Sequence, residues 1–349
     1  YDPYVNMLRA TTEAMAAVLG GCDALSIHPY DAAMRPSDAF GLRIARNTQL
    51  ILEQESRFDQ VSDPAAGSYY IETLTDRLAQ RAWTQFQEIE AGGGLLEALE
   101  SGTLQKQIAE TRRERRAAVD EREHVLVGTT HYPALDEKRR DDLDPPEGSP
   151  SSSETAVAPP PSPSLDAIRA ALRDETTLPE ILASLQSGPE GTAPLPRIRV
   201  AEEIEAIRLR TEAFAEQHDG PPQVLLAPLG SPAARSARAT FARNVLGVAG
   251  FTIEEPLKFE SVDAAADAAV EHNADIVVLC SSNDAYADLA PPLAAALADR
   301  GHDALIGIAG SPKDIDVDQA DFFVHQGSSL TETLSTLQER LGIDVTSDP

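Results

Sequence analysis

The chain has 349 residues, 57 acidic and 29 basic, and a formal net charge of −28, so it is long enough for two domains. The acidic excess repels phosphate backbones and argues against nucleic acid as a partner. No apolar run approaches the ~20 residues that span a bilayer and no charged-then-apolar leader opens the chain, so we expect a cytoplasmic protein without a membrane partner.

Two cysteines occur, Cys22 and Cys280, and both fall in segments that we predict to lie in the core. They support neither a disulfide framework nor a zinc site, and they are typical of a reducing compartment. The first residue is Tyr1 rather than Met. We therefore expect the chain to be part of a longer protein, with sequence upstream of Tyr1.

The first 132 residues alternate between helical and strand patterns, which is typical of an α/β fold. The predicted helices cover 4–19, 38–55, 74–89, 95–101 and 103–120, and the predicted strands cover 24–27 and 125–128. Apolar residues recur at helical spacing from Leu74 to Ile89, so we predict that this face lies in the core. The charged segment 111–123 predicts either a solvated helix face or a contact with a partner.

An acidic, Pro- and Ser-rich linker is predicted at 133–164. Residues 141–164 carry seven prolines and almost no large apolar side chains, so they cannot bury enough surface to fold. Helices predicted at 165–173, 178–186 and 200–217 form a connecting arm over 165–220. The sequence does not show what this arm packs against.

From residue 221 to 349 strands and helices alternate regularly. The predicted strands cover 223–229, 252–259, 274–281, 304–310 and 321–326, with helices at 233–247, 262–272, 286–299 and 328–341. This pattern predicts a doubly wound, five-stranded parallel sheet, in which ligands bind outside the carboxyl ends of the strands. The candidate binding loops therefore follow Leu229, Cys280, Gly310 and Gln326.

Three motifs in the first domain are highly specific when taken together. They are Ala-Arg-Asn-Thr-Gln at 45–49, Val-Ser-Asp-Pro-Ala-Ala-Gly-Ser-Tyr-Tyr-Ile-Glu at 61–72, and Phe-Gln-Glu-Ile-Glu at 86–90. They resemble the barrel domain of the methylmalonyl-CoA mutase family. The resemblance implies that residues 1–132 are the C-terminal part of a TIM (β/α)8 barrel and that 221–349 is a flavodoxin-like, cobalamin-binding-type domain.

Members of this family that bind cobalamin carry Asp-x-His-x-x-Gly after the first sheet strand, and the His is the lower ligand to cobalt. Here the corresponding residues are Pro232, Ala234 and Ala237. Alanine offers no lone pair to a metal, and proline has no carboxylate to orient an imidazole. His218 and His272 lie outside this loop, so the resemblance implies no metal-binding or cofactor-binding residue in this chain.

The barrel site departs from the family as well. Catalytic members carry Leu-His-Thr-Asn at a strand end, whereas this chain has Leu25-Ser26-Ile27-His28. Barrel active sites are built at strand carboxyl ends, and here Ser26 and His28 stand in place of the His and Asn. We therefore assign no catalytic residue and interpret His28 as structural.

Five further positions have interpretations that differ in strength. The pair Ser281-Ser282 is interpreted as a remnant of the cobalamin slot, and a cofactor role for His325 is not favoured. Arg43 and Arg46 could pair with a CoA phosphate or equally with carboxylates.

These features imply the non-catalytic small subunit of a heterodimeric, adenosylcobalamin-dependent mutase that interconverts (R)-methylmalonyl-CoA and succinyl-CoA. The large partner subunit would bind both adenosylcobalamin and the acyl-CoA substrate. Two alternatives stay open: an active mutase chain that binds cobalamin without a His ligand, and a diverged binding or regulatory module, which fold alone cannot exclude.

Overall fold

The computed structural model describes residues 2–138 and 199–345, together with Arg169 and Leu195. These residues fall into two compact units. The sheet unit takes the described parts of Tyr1–Arg9, Thr111–Asp142 and Ile198–Pro349, and the helical unit takes those of Ala10–Glu110 and Leu143–Arg197. Most of the predicted linker and the helices predicted at 165–173 and 178–186 lie outside the described residues, apart from Arg169, which is helical.

The helices predicted in the first 120 residues are confirmed. They are α1 (Val5–Leu19), α2 (Ala39–Leu50), α3 (Tyr69–Ala91), α4 (Gly94–Glu100) and α5 (Thr103–Asp120). Helix α2 begins where Asp38 accepts a hydrogen bond from the backbone N–H of Gly41 at 2.9 Å, and a single turn of π-helix extends it to Glu55. None of the helices in the described residues is both long and apolar enough to cross a membrane.

The two strands predicted in this part of the chain are wrong. Residues 24–27 belong to no strand, and the segment 125–128 contains only an isolated bridge from Val127 to His131. A strand exists only when a neighbouring strand accepts and donates its backbone hydrogen bonds. The described residues place no such neighbour beside either segment.

Helix α3 is amphipathic as predicted, but its apolar face is not buried in this structure. No residue of α3 is buried, and the rings of Trp83 and Phe86 stack at 5.2 Å while remaining 60% and 50% exposed. The spacing of apolar residues fixes which face of a helix is apolar. Burial of that face depends on another element, which the described part of the helical unit does not supply.

The sheet unit confirms the predicted α/β architecture. Its elements are α6 (Glu202–Gln217), β1 (Gln223–Pro228), α7 (Pro232–Leu246), β2 (Thr252–Glu254), α8 (Val262–Glu271), β3 (Ile276–Cys280), α9 (Tyr286–Asp299), β4 (Leu305–Ala309), β5 (Phe322–Val324) and α10 (Leu330–Arg340). All five strands are parallel, in the order β2-β1-β3-β4-β5. Strands β2 and β5 are shorter than predicted.

The sheet is covered on both faces, which explains why its central strands are continuous apolar runs. Alternate residues of a strand point to opposite faces. Leu226 and Val278 accordingly pack with α6, α7 and α10, whereas Leu225 and Val277 pack with α8 and α9. All five residues of β3 are fully buried.

Residues 111–138, which we call the strap, belong to the sheet unit and contact its helices through a hydrogen bond and a cation–π interaction. Asp120 accepts a hydrogen bond at 2.7 Å from the backbone N–H of Thr331 in the first turn of α10. The Arg122 guanidinium lies 4.9 Å from the centre of the Phe241 ring. Most of the charged segment 111–123 is exposed, as a solvated helix face predicts, while Asp120 and Arg122 have partners within the described chain.

Helix α6, the described part of the connecting arm, packs against the strap and α10 of the same unit. The Arg208 side chain, only 4% exposed, donates hydrogen bonds to the backbone carbonyls of Ala134 at 2.7 Å and Glu137 at 2.5 Å. Gln338 of α10 donates to the carbonyl of Ile207 at 2.6 Å. The domain boundaries proposed from the sequence, at 132, 164 and 220, stay predictions.

We expect Asp120→Ala to lower the free energy of unfolding of the chain by about 1 kcal/mol, the usual cost of losing a helix-capping acceptor. The first turn of α10 would lose both a hydrogen bond and a favourable negative charge. Chemical denaturation followed by circular dichroism measures this change. The matched control is Glu121→Ala, whose side chain is exposed, and an equal loss in both variants would contradict the capping role.

Candidate functional site

The carboxyl edge of the sheet has one point where the strand order reverses, between β1 and β3. Chain connections leave β1 toward β2 on one side and continue through β3 on the other. In open parallel sheets the loops at such a point diverge and leave a crevice that binds ligands. The loops concerned here are 229–231 and 281–283.

These two loops touch each other directly. The backbone N–H of Leu229 donates to the carbonyl of Cys280 at 3.1 Å. Gly230 has a φ of +80°, and a Cβ atom placed on it would lie 2.9 Å from the hydroxyl oxygen of Ser281. Glycine is therefore required for both its backbone conformation and its lack of a side chain. In sheets that bind a ligand at this point the two loops diverge, whereas here Gly230 and Ser281 are in contact.

Two arginines of α7 fasten the same loops. Arg238 donates from Nη2 to the side-chain oxygen of Asn283 at 2.9 Å, which joins α7 to the loop after β3. Arg235 donates from Nη1 to the carbonyl of Gly230 at 3.0 Å. Both arginines therefore use neutral acceptors in these contacts.

Tyr286 connects the ends of β3 and β4. Its fully buried hydroxyl accepts a hydrogen bond from the backbone N–H of Ser281 at 2.9 Å and donates one to the carbonyl of Ala309 at 2.8 Å. These bonds tie the end of β3 to the end of β4. Burial raises the pKa of the Tyr286 phenol to about 12, because its ionised form would lose hydration.

The two cysteines differ in burial. Cys280 is buried as predicted, and burial raises the pKa of its thiol, which makes it unreactive at neutral pH. Cys22 is exposed, so its predicted place in the core is wrong. Its segment 21–28 follows α1 without joining a strand, and a core position needed that strand.

The positions that correspond to the cobalt-binding motif lie on α7 rather than in an open loop. Pro232 is the first residue of the helix, and Ala234 and Ala237 follow within its first two turns. None of these side chains can donate an electron pair to a metal. The residues present therefore do not fit a histidine-ligated cobalamin.

Neither neighbouring histidine in the sequence repairs this loss. His218 precedes β1 and His272 follows α8 just ahead of β3, so parallel topology puts both at the amino edge, opposite the switch point. The His218 ring stacks on Phe214 with centroids 3.8 Å apart. No group of three or more His, Cys, Asp or Glu residues in the described ranges is arranged to hold a metal ion.

His325, which follows β5 at the carboxyl edge, has Nδ1 2.8 Å from the carbonyl of the next residue, Gln326. Ser282 is half-buried next to Ser281. Both lie at the predicted edge of the sheet, and the arrangement brings only the Ser281–Asn283 loop against Gly230 and α7.

In the helical unit, Ser26 and His28 are both exposed. Gln49 donates to the carbonyl of Leu25 at 3.1 Å and holds this segment beside α2. Arg43 lies 5.6 Å from the centre of the Phe40 ring, and Arg46 is exposed. These residues do not converge on one another.

Sequence reasoning missed the residues that join the switch-point loops: Arg235, Arg238, Asn283 and Tyr286. A signal was present, since two arginines three residues apart occupy one face at the start of a helix that follows the first sheet strand. Their acceptors belong to other loops, so the contacts themselves could not be read from spacing.

Comparison with known proteins shows a consistent similarity. A family model described as methylmalonyl-CoA mutase matches residues 1–211. A methylmalonyl-CoA mutase small subunit from Porphyromonas gingivalis is 34% identical over 98% of this chain and 49% of its own length. One from Streptomyces virginiae is 35% identical over 98% and 48%, respectively.

A methylmalonyl-CoA mutase from Rhizobium meliloti is 31% identical over 88% of this chain and 48% of its own length. The chain thus spans about half the length of the curated relatives it matches.

We expect Tyr286→Phe to lower the free energy of unfolding by about 1–3 kcal/mol at neutral pH, because the buried N–H of Ser281 and carbonyl of Ala309 lose their partner. Tyr132→Phe, at an exposed ring, is the control. A neutral result for Tyr286→Phe in denaturant titrations would contradict the bridging role of the hydroxyl.

The same phenol gives a pH dependence with a defined sign. Its pKa is about 10 in the unfolded chain and about 12 in the folded one, so its contribution is complete below pH 10 and falls as the pH rises to 12. Unfolding measured across this range should show a steeper loss in the unmodified chain than in Tyr286→Phe. Parallel curves would contradict the burial of the neutral phenol.

Proposed function

This chain belongs to the methylmalonyl-CoA mutase family, and we propose that it acts as the non-catalytic small subunit of a heterodimeric mutase. The reaction proposed for the complex interconverts (R)-methylmalonyl-CoA and succinyl-CoA. The observation that carries this proposal is the occupation of the cobalt-ligand position by Ala234, within a helix that begins at Pro232. Relatives described as small subunits match 98% of the chain, which supports the same assignment.

The proposed domains follow from this family. Residues 1–132 would be the C-terminal part of the mutase TIM barrel, 133–164 a linker, 165–220 a connecting arm and 221–349 a flavodoxin-like domain of the cobalamin-binding type. The strand order β2-β1-β3-β4-β5 supports the last of these, because it is the flavodoxin-like order. The hydrogen bond from Gln338 of α10 to the carbonyl of Ile207 in α6 supports a connecting arm that packs against this domain.

We propose that adenosylcobalamin is bound by the large subunit and not by this chain. When bound there, the cofactor supplies the radical chemistry, while protein groups bind and orient it. In this chain the loops after β1 and β3 are in direct contact, and Arg238 and Asn283 bridge them. These contacts join the two loops at the switch point, and Pro232, Ala234 and Ala237 offer no ligand to cobalt. The acyl-CoA substrate is likewise assigned to the partner.

The two alternatives receive less support. An active chain that binds cobalamin without histidine would still need the cofactor slot, whose motif is replaced here at Pro232, Ala234 and Ala237. The methylmalonyl-CoA mutase from Rhizobium meliloti, which is not described as a small subunit, also matches less of the chain than the small subunits do, 88% against 98%. A diverged regulatory module is not favoured by the names of these relatives.

The two cysteines are free, which is consistent with the cytoplasm as the proposed location.

We expect the purified chain to retain no adenosylcobalamin after desalting, as measured by visible absorbance. The complex with a large subunit that carries Asp-x-His-x-x-Gly should retain it. The variant Ala234→His should still retain none, because Pro232 stands where the orienting carboxylate would be needed. Retention of cobalamin by the isolated chain would overturn the proposal.

A second expectation concerns the exposed face of α3. If residues 1–132 are the C-terminal part of a barrel, the remaining part of that barrel, in a longer subunit that contains it, covers Leu78, which is 59% exposed here. Leu78→Glu should then leave the melting temperature of residues 1–349 nearly unchanged and lower that of the longer subunit by several degrees. Arg81→Glu, on an exposed position of the same helix, is the control, and equal effects of Leu78→Glu in both proteins would contradict the barrel.

A further inference from the structure

The loop between β1 and α7 gathers several hydrogen-bond donors at the start of a helix. Pro232 occupies the first helical position, and the side chain of the preceding Ser231 forms no capping hydrogen bond. Within the described residues, no side chain caps the backbone N–H groups of Ala233 and Ala234. Such a helix terminus combines free donors with the positive end of the helix dipole.

Two arginines, Arg235 and Arg238, lie about one turn apart on α7. Arg235 donates to the carbonyl of Gly230 and Arg238 donates to the amide oxygen of Asn283, and neither forms a carboxylate salt bridge with the described parts of the chain. Arg243, farther along α7, instead pairs with Glu255 at 3.3 Å. In a protein with a net charge of −28, two adjacent arginines with neutral acceptors keep donors available for an anion.

A carboxylate does lie near this loop, but it is engaged elsewhere. Glu260 has its pKa lowered chiefly by its hydrogen bond and ion pair with Lys258, and only secondarily by the charge of Arg235. Glu260 therefore takes Lys258 as its direct partner. The guanidinium of Arg235 keeps its direct contact with the carbonyl of Gly230.

Ser281 supplies an independent observation. Its side chain is 0% exposed and its hydroxyl oxygen has no hydrogen-bond partner in the described structure. The hydroxyl lies 2.9 Å from the position of a Cβ on Gly230, so it is directed at the loop that opens α7. Buried polar groups are nearly always paired, and a bound acceptor at this loop would pair this one.

We propose that the loop 229–235 binds a phosphate group of a small phosphorylated ligand. The backbone N–H groups at the start of α7, the guanidinium groups of Arg235 and Arg238 and the Ser281 hydroxyl supply the donors. Helix N-termini at strand switch points bind phosphates in this way, and guanidinium groups bind them through charge-assisted bonds. This inference does not depend on the proposed subunit role.

Isothermal titration of the full chain tests the site with three probes: inorganic phosphate, ADP and CoA. Arg235→Gln and Arg238→Gln remove the charge while keeping a hydrogen-bond donor, and each should weaken phosphate-group binding by about tenfold or more. Arg243→Gln, on the same helix but paired with Glu255, is the matched control and should change the affinity less than about twofold. Raising the salt concentration should weaken binding in the unmodified chain.

The choice among the probes identifies the source of the phosphate. Binding of all three probes indicates a site for a phosphate group alone, whereas binding of only ADP or only CoA identifies the phosphorylated ligand; each supports the proposal. Lack of binding of every probe at millimolar concentration, or an equal loss in Arg243→Gln, overturns it. If Arg238→Gln does not fold, Arg235→Gln carries the test, because it alters only a contact with a main-chain carbonyl.

A parallel titration with adenosylcobalamin separates this inference from the proposed function. Cobalamin binding would overturn the non-catalytic assignment, whatever the phosphate probes show. Failure of the phosphate probes alone would overturn only the phosphate site.

Discussion

The close packing of Gly230 against Ser281 is the contact on which the rest of the candidate site depends. It requires glycine at position 230, both for the positive φ and for the absence of a side chain. By holding the loops after β1 and β3 together, it fixes where α7 begins and allows Arg238 to reach Asn283. The segment that would carry a cobalt ligand is therefore the first turn of α7, which contains Pro232 and Ala234.

The sheet unit combines an apolar interior with polar contacts that reach far along the chain. Its interior is nearly uniform, because both faces of the parallel sheet are buried under helices. Specific placement of the strap comes instead from directional contacts, such as Asp120 at the N-terminus of α10 and Arg208 at the carbonyls of residues 134 and 137. Hydrophobic burial supplies most of the stability, and these bonds select one arrangement.

On the proposed assignment, the fold is kept while the cobalamin site is lost. Replacing His and Asp by Ala234 and Pro232 removes metal ligation without disturbing the helix, since proline is favoured at a first helical position and alanine within it. Each substitution is therefore compatible with stability. The proposed loss of the ligand and the preserved helix would follow from the same residues.

Periodicity predicted the helices and the five sheet strands well, because hydrophobic spacing determines these elements locally. It failed at 24–27 and 125–128, where a strand needs a neighbour that spacing cannot supply. It also predicted the apolar face of α3 and could not predict that Leu78 is exposed. Local pattern fixes which residues could be buried, whereas burial requires a second surface.

The sequence by itself determined that Pro232, Ala234 and Ala237, which we match to the metal-binding motif by resemblance, cannot ligate a metal, because their side chains carry no donor atom. Only the tertiary structure decided that Arg235, Arg238, Ser281 and Tyr286 meet at the switch point. Their contacts join residues far apart in the chain, such as Arg238 and Asn283, which are 45 positions apart. Parallel pairing of β1 and β3 brings such distant segments to one edge, and no local pattern encodes which side chains meet there.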